Sequence, residues 1–450
     1  MKLMLINPPK ELEISFAVLD DYEVKARSNQ PPLSLMYLYA YLSNRFDVIV
    51  LDMNAKEEKI VDIDSYLNLH KPDIVGITCV VSKWLTVKEL AKRIKRYNKD
   101  IQVVVGGVNP SLYTYETLQC IDIDYVVRGF GQLPLESLCE SFCAGRINNS
   151  IQNCFTRENY LTNLPGNFGF QNLDLYPIPN RTILPITDYN LPYFPENPTT
   201  SILSSCGCPF SCNFCQGRTF KPVVLRNINN VVDEMDEIQK LGIKSVIFQD
   251  ELFTLSTKRI NEICSLMIQR NICLHWSVRA RGTPIDENSL ALMRQAGCFN
   301  IHMGLESGVP RLLKKMNKRI TKEQSIEAIR RINYAGILSS ASFMLGYPTE
   351  TEAEIIETID FASTVGLNNC QFYVVIPPPR TVMYKEWQQN TGYQGDVFSD
   401  FMMTPEKVDL KNIIASDIFS KSQMDEFLRL GFSKTKNLYQ VKAKLNKETR

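Results

Sequence analysis

The sequence predicts an α/β protein: an N-terminal doubly wound parallel sheet, an open (β/α)6 partial barrel, and a small helical C-terminal region. Two observations carry this. Short Val/Ile-rich runs recur between amphipathic stretches, the pattern of strands and crossover helices; and a proline-rich stretch separates two such series.

In residues 1–145 the strand candidates are Lys2–Ile6, Asp47–Met53, Asp73–Cys79, Ile101–Gly107 and Ile123–Gly129. Helical patterns fall near Leu35–Ser43, Val87–Tyr97, Tyr113–Cys120 and Leu135–Phe142. Continuous apolar strands imply a parallel sheet covered on both faces, with its ligand crevice beyond the carboxyl ends of the strands. Gly106, Gly107, Gly129 and Gly131 fall at those ends. Missing Cβ atoms let backbone approach a ligand closely, though plain turn glycines read equally well.

Residues 146–199 read as a connecting segment, because Asn148, Asn149, Asn153 and prolines from Pro165 to Pro198 break any long helix. From 200 to 390 strands are expected at Ser201–Ser205, Ser245–Gln249, Leu274–Ala280, Phe299–Gly304, Ser339–Leu345 and Gln371–Ile376. Apolar residues at helical spacing lie between them, and Gly242, Gly297, Gly336 and Gly366 mark helix C-caps. Six such units fall short of a closed eight-fold barrel, hence the open form. In residues 391–450 two or three helices are expected, either packing on the barrel's open side or forming a lid.

Composition narrows the function. Fifty basic and 49 acidic residues in 450 leave a net charge of +1, which advertises no nucleic-acid-binding face. The first apolar run, ended by Pro8 and Pro9, is too brief for a signal peptide or membrane span. Thirteen scattered cysteines fit reduced thiols and a cytoplasmic setting. With only His70, His275 and His302, histidine-rich metal sites are improbable.

The most informative feature is Cys208-Pro-Phe-Ser-Cys212-Asn-Phe-Cys215, three thiolates in one tight loop after the first barrel strand. A structural zinc or an electron-transfer iron–sulfur cluster takes four protein ligands. Three ligands on a cubane leave one iron open to bind a small molecule. Cys206 offers the alternative of a four-thiolate zinc site. Downstream, Asp250-Glu251, Arg279-Ala280-Arg281, Gly304-Leu305-Glu306-Ser307-Gly308 and Gly346-Tyr347-Pro348-Thr349-Glu350-Thr351 end successive strands. A zwitterion bearing a ribose would need such groups: a carboxylate for ammonium, an arginine for carboxylate, acceptors for hydroxyls. Singly, Asp250-Glu251 and Glu306 read as helix caps and Arg281 as a surface cation.

The CxxxCxxC loop and these strand ends resemble the radical S-adenosylmethionine (SAM) family. The resemblance implies that Cys208, Cys212 and Cys215 hold a [4Fe–4S] cluster whose open iron binds SAM. Asp250, Glu251, Arg281, Gly304, Glu306 and Ser307 would position SAM for reductive cleavage to a 5′-deoxyadenosyl radical. Thr349 and Arg380 stand where the family pattern has glycine. Pro31-Pro32-Leu33-Ser34-Leu35, Pro72-Asp73-Ile74-Val75-Gly76-Ile77, the Gly106-Gly107 turn and Asp124–Gly129 look like the cobalamin-binding domain that precedes many of these cores. Asn54, Gly106, Gly107, Gly129 and Gly131 would then border a corrinoid. Asn54 replaces the histidine that ligates cobalt, and Phe130 and Gln132 replace acidic residues of the glycine turn.

So read, the chain is similar to cobalamin-dependent radical SAM C-methyltransferases acting on an unactivated carbon of a biosynthetic intermediate. Two alternatives stand beside this: non-methylating radical chemistry such as oxidative cyclisation, and a non-catalytic cobalamin or iron–sulfur binding protein. The expected partners are a small-molecule or peptide substrate and a one-electron reductant of flavodoxin or ferredoxin type. Trp84, Tyr373, Tyr384 and the tail would line the site and suit an apolar or cyclic substrate.

Overall fold

The computed structural model describes residues 1–14, 29–145, 151–160, 172–219 and 222–448. Asn148, Asn149 and Pro165 of the linker reading lie outside these. The chain forms two compact units.

The first unit is built on six strands: β1 (Lys2–Asn7), β2 (Asp47–Asp52), β3 (Ile74–Thr78), β4 (Gln102–Gly106), β5 (Tyr125–Val127) and β6 (Cys154–Phe155). Their order is β2-β1-β3-β4-β5-β6, parallel except for the β5–β6 pair. This doubly wound order reverses direction between β1 and β3, so its crevice opens there, at the strands' carboxyl ends. Leu3, Leu5, Val104, Leu135 and Leu138 are buried in one core cluster beneath helices Leu33–Leu42 and Gln132–Cys143. The short helices Ile63–His70 and Val108–Leu112 carry no periodicity that the sequence reading detected.

The unit's boundaries differ from the expected ones. It extends through the linker to Tyr189, whose hydroxyl donates to buried Asp52 (2.9 Å), and it takes back Gly395–Lys411 from the C-terminal region. In that returning segment Asp396 accepts from Tyr113, Ser399 donates to Glu116 (2.7 Å), and the Met402 carbonyl accepts from the Trp84 indole (3.1 Å). The single C-terminal cap expected over 391–450 is therefore corrected. Hydrogen bonds to residues some 280 or more positions away leave no trace in local periodicity.

The second unit's sheet is β7 (Thr199–Ile202), β10 (Ser245–Phe248), β11 (His275–Ala280), β12 (Cys298–Glu306), β13 (Leu338–Leu345) and β14 (Asn369–Val374). All neighbours are parallel and follow sequence order, and β7 and β14 are unpaired edges, as an open (β/α)6 barrel requires. Between β7 and β10, β8 (Ser205–Cys206) pairs antiparallel with β9 (Val224–Leu225). The helices begin on side-chain caps at Asn227, Ser256, Asp286, Thr321 and Thr351. Gly242, Gly297, Gly336 and Gly366 end them with positive φ, as expected of left-handed C-caps.

After residue 391 come the α-helices Val397–Met403 and Lys421–Glu448, in keeping with the two or three expected. The last helix lies against β14 and helix Glu352–Thr364. Gly431 meets Phe372 so closely that a Cβ there would stand 2.9 Å from the ring, and Phe432 packs edge-on to the same ring. The helix thus covers the outer face of an edge strand.

Two turn positions are testable. At Gly107, φ of +110° and ψ of −171° lie in a region open only to glycine, and a Cβ would stand 2.7 Å from the Cys79 carbonyl oxygen. Gly107→Ala is expected to destabilise the protein by about 2–3 kcal/mol in chemical denaturation. Arg380, exposed at φ 64°, holds a left-handed turn; with the side chain removed in both, Arg380→Gly should be more stable than Arg380→Ala by about 0.5–1 kcal/mol. Equal stability of the two variants would contradict the strain.

Candidate active site

The cysteine loop leaves β8 through Gly207, whose φ of +89° turns the chain and whose N–H donates to Glu251 (2.9 Å). Behind it, Asp250 is fully buried. Its carboxylate accepts from the Ser204 N–H (2.7 Å), the Ser204 hydroxyl (2.6 Å) and the Ser205 hydroxyl (2.5 Å). Burial pushes this carboxyl above its ordinary range, and the serine hydrogen bonds pull it back. Neither acidic residue caps a helix; the cap of the next helix is Ser256.

The loop is also tied from the opposite side. Asn213 donates its N–H to the Met316 carbonyl (2.9 Å) and its amide to the Lys315 carbonyl (2.8 Å), while Asn317 donates to the Ser211 carbonyl (2.8 Å). Met383 N–H donates to the Asn213 carbonyl (3.0 Å) and Gln216 reaches the Pro379 carbonyl (3.2 Å). The loop is therefore fixed by elements far apart in sequence. Cys212 is buried; Cys208 and Cys215 are partly exposed. A Cβ on Gly217 would stand 3.1 Å from the Cys215 sulfur, so glycine leaves that sulfur uncrowded.

Arg281 is buried with its guanidinium 3.7 Å from the Phe210 ring centroid, and its Nη1 reaches the Cys212 sulfur at 3.5 Å. Nε and Nη2 are buried without a partner among the described residues. A planar cation held beside a thiolate, with two donors unspent, fits a ligand carboxylate. On β12, Glu306 adopts φ 68° and pairs with Lys318 at 2.7 Å, both side chains nearly buried. Gly304 makes room for this pair, since a Cβ would lie 2.6 Å from Glu306 Oε1. Ser307 instead bonds Thr358 (3.0 Å) and the Val309 N–H (3.1 Å), locking the turn into the next helix. Glu350 accepts from the N–H groups of Gly346 (2.6 Å) and Tyr347 (3.0 Å), and burial pushes it up to about 7.

Cys206 sits in β8 before the Gly207 turn, and burial beside Glu251 and Asp250 pushes its thiol up to about 12. Among the described residues no three histidine, cysteine, aspartate or glutamate side chains gather around a point that one metal ion could occupy. A mononuclear zinc site draws its ligands to about 2.3 Å of one centre; a cubane takes each thiolate at a separate corner. The loop's donor set and its unspent cation fit the cubane with SAM better than the zinc alternative.

In the first unit Asn54, Gly106, Gly107, Gly129 and Gly131 all follow or end strands on the carboxyl edge of the sheet. Asn54 Oδ1 accepts from Lys83 (2.9 Å), whose ammonium also donates to the Pro8 carbonyl (2.8 Å). Gly129 N–H donates to Ser111 (3.0 Å). His70, which ends the helix before β3, lies toward the opposite edge. Asn54 and these glycines are the residues of the carboxyl edge that would border a corrinoid, with Asn54 already paired to Lys83.

Sequence reasoning missed Lys318, concealed in the surface-like run Lys314–Arg319, and Phe210 and Gly217 inside the loop. Of the inner barrel face it named Gly304 and Tyr373 but not the polar residues around them. Asn300, His302 and Gly304 on β12, Ser340 and Ser342 on β13, and Gln371 and Tyr373 on β14 recur at every second position, the alternation that marks a face left open. The expected aromatic lining is corrected: Trp84 and Tyr384 are buried among their own neighbours, and only Tyr373 is exposed.

Residues 202–362 match the radical SAM superfamily and residues 21–139 the B12 binding domain. The chain is 31% identical over 393 residues to an uncharacterized methyltransferase of Pyrococcus horikoshii, covering 86% of this chain and 83% of that protein. It is 28% identical to the anaerobic magnesium-protoporphyrin IX monomethyl ester cyclase of Rubrivivax gelatinosus, covering 80% of this chain and 66% of that one. The fold superimposes on the radical SAM methyltransferase TsrM of Kitasatospora setae, solved with cobalamin and a [4Fe–4S] cluster, with a TM-score of 0.71 at 22% identity over 88% of this chain and 76% of that one. With a radical SAM barrel, a B12 binding domain before it and the methyltransferase relative matched over 86% of this chain, the chain belongs to the cobalamin-dependent radical SAM methyltransferase family.

Proposed function

We propose that this enzyme methylates an unactivated carbon of a small molecule or peptide, with Cys208, Cys212 and Cys215 holding the cluster. The carrying observation is Arg281, buried against the Cys212 sulfur with two donors unspent. When bound, the cluster and corrinoid supply one-electron reduction of SAM and a transferable methyl group.

The chain's own residues do the rest. Asp250 and Glu251 hold the root of the cysteine loop, and the Asn213 and Asn317 amides hold its tip. Arg281 offers Nε and Nη2 to the SAM carboxylate, and stacking on Phe210 removes the freedom that a long side chain would otherwise lose on binding. The Glu306–Lys318 pair sets a fixed polar wall at the end of β12, with Gly304 and Ser307 shaping the turn. In the first unit Asn54, Gly106, Gly107, Gly129 and Gly131 border the corrinoid. An external one-electron reductant of flavodoxin or ferredoxin type supplies electrons. Thirteen free cysteines suit a reducing, cytoplasmic setting, and among the described residues no helix is long and apolar enough to cross a membrane.

The cyclase relative favours a second reading, radical oxidation without methyl transfer. Anaerobically reconstituted protein given SAM and reductant separates them. Methyl transfer yields S-adenosylhomocysteine beside 5′-deoxyadenosine; deoxyadenosine without S-adenosylhomocysteine supports the second reading, and neither product sinks both. Cys208→Ala should lose the iron–sulfur absorbance and deoxyadenosine release together.

The buried ion pair gives a separate expectation. Lys318→Met leaves Glu306 buried and uncompensated, which should cost about 3–5 kcal/mol in urea unfolding. The double variant with Glu306→Leu should recover most of that loss. A double variant as unstable as the single one would show that the two groups do not act as a pair.

A further inference from the structure

On the concave face of the second unit's sheet a polar ladder crosses four strands. Asn300 on β12 donates to Ser277 on β11 (3.0 Å) and accepts from Ser340 on β13 (2.9 Å). His302 has its Nδ1 3.1 Å from the Ser340 hydroxyl and its Nε2 2.7 Å from the Ser342 hydroxyl. Since Ser340 gives its proton to Asn300, its oxygen accepts from Nδ1–H. On β14, Tyr373 donates to Gln371 (2.5 Å). Every member faces away from the helices, whose side of the same strands carries Val278, Ile301, Met303, Ala341, Phe343 and Phe372, all buried.

Arg279 completes this face. It is the strand partner of His302 and lies two residues from Ser277, on the same side of β11. It is exposed, and no carboxylate lies within ion-pair distance of it among the described residues. Tyr373 is half exposed on the same face; desolvation raises its phenol, and a hydrogen bond with Ser342 and the Arg279 charge acting through space draw it back. The ladder's own hydrogen bonds occupy both His302 nitrogens, the Ser340 and Ser342 hydroxyls and the Tyr373 hydroxyl, so the charge this face offers a ligand is that of the Arg279 guanidinium, which matches an anion.

We propose that Arg279, set on this polar face beside its strand partner His302, seats an anionic group of the substrate, a carboxylate or a phosphate. The substrate is therefore a small acid. This rests on the reading of the chain as a methyltransferase, because it concerns that enzyme's substrate.

The test is calorimetric titration of the full-length reconstituted protein, with SAM present to occupy Arg281, using succinate, inorganic pyrophosphate and uncharged glucose. At least one anion should bind and glucose should not; which anion binds separates carboxylate from phosphate. Arg279→Gln should weaken that binding about tenfold or more, as loss of a charged hydrogen-bonding partner does, while Arg279→Lys keeps most of it. Arg279→Met should weaken it likewise, which keeps the test open if one variant folds poorly. Neither anion binding better than glucose, or both neutral variants binding like the parent, overturns the inference. The titration needs no turnover. Anion binding by protein that releases no deoxyadenosine upholds the seat while the methyltransferase reading falls; SAM cleavage by protein indifferent to both anions overturns the seat alone.

Discussion

The Asp250 carboxylate is the anchor on which the active-site geometry depends. It is wholly buried at the end of β10 and takes hydrogen bonds from both serines that connect β7 to β8. A buried carboxylate is tolerable only when its oxygens are satisfied, so the three residues fix one another. The chain then leaves for Gly207 in a single direction, and Glu251 holds that glycine's N–H. Three thiolates on the eight residues Cys208–Cys215 converge only if the root of the loop cannot swing. The Asn213 and Asn317 bonds do the same for the tip.

Around that anchor the barrel separates two tasks by strand periodicity. Side chains facing the helices are apolar and close-packed, Trp276 with Phe248 and Phe253, Phe343 with Phe361 and Phe372. Side chains on the other face of β12, β13 and β14 are largely polar and bond one another across strands. A closed barrel would fill its interior with branched apolar side chains. Leaving β7 and β14 unpaired removes that demand, and the inner wall is free for recognition.

Several functional positions hold backbone that L-residues avoid. Glu306, Thr349 and Arg380 have φ of 68°, 67° and 64°. At Thr349 the conformation is compensated: its hydroxyl accepts from Lys315 (2.7 Å), its carbonyl from Arg311 (2.9 Å), and its N–H donates to Asp417 (2.7 Å). The turns that family glycines would make cheaply are thus kept here by surrounding bonds, which is why departures from the motif at Thr349 and Arg380 do not change the path of the chain.

The sequence by itself determined the architecture and the place of the chemistry. Periodic apolar runs and C-cap glycines are local signals, and they located both sheets, six barrel strands in order and the cysteine loop after the first. Local signals do not report what a side chain meets. Asp250 reads like Glu251, yet one is sealed beneath the loop and the other is exposed; Lys318 reads like Lys314, yet it is buried against Glu306. Tertiary structure alone decided that Gly395–Lys411 returns to the first unit, that the last helix covers β14, and that Arg279 faces His302. Each of these depends on contacts between residues tens to hundreds of positions apart, whose energies enter only when the chain has closed on itself.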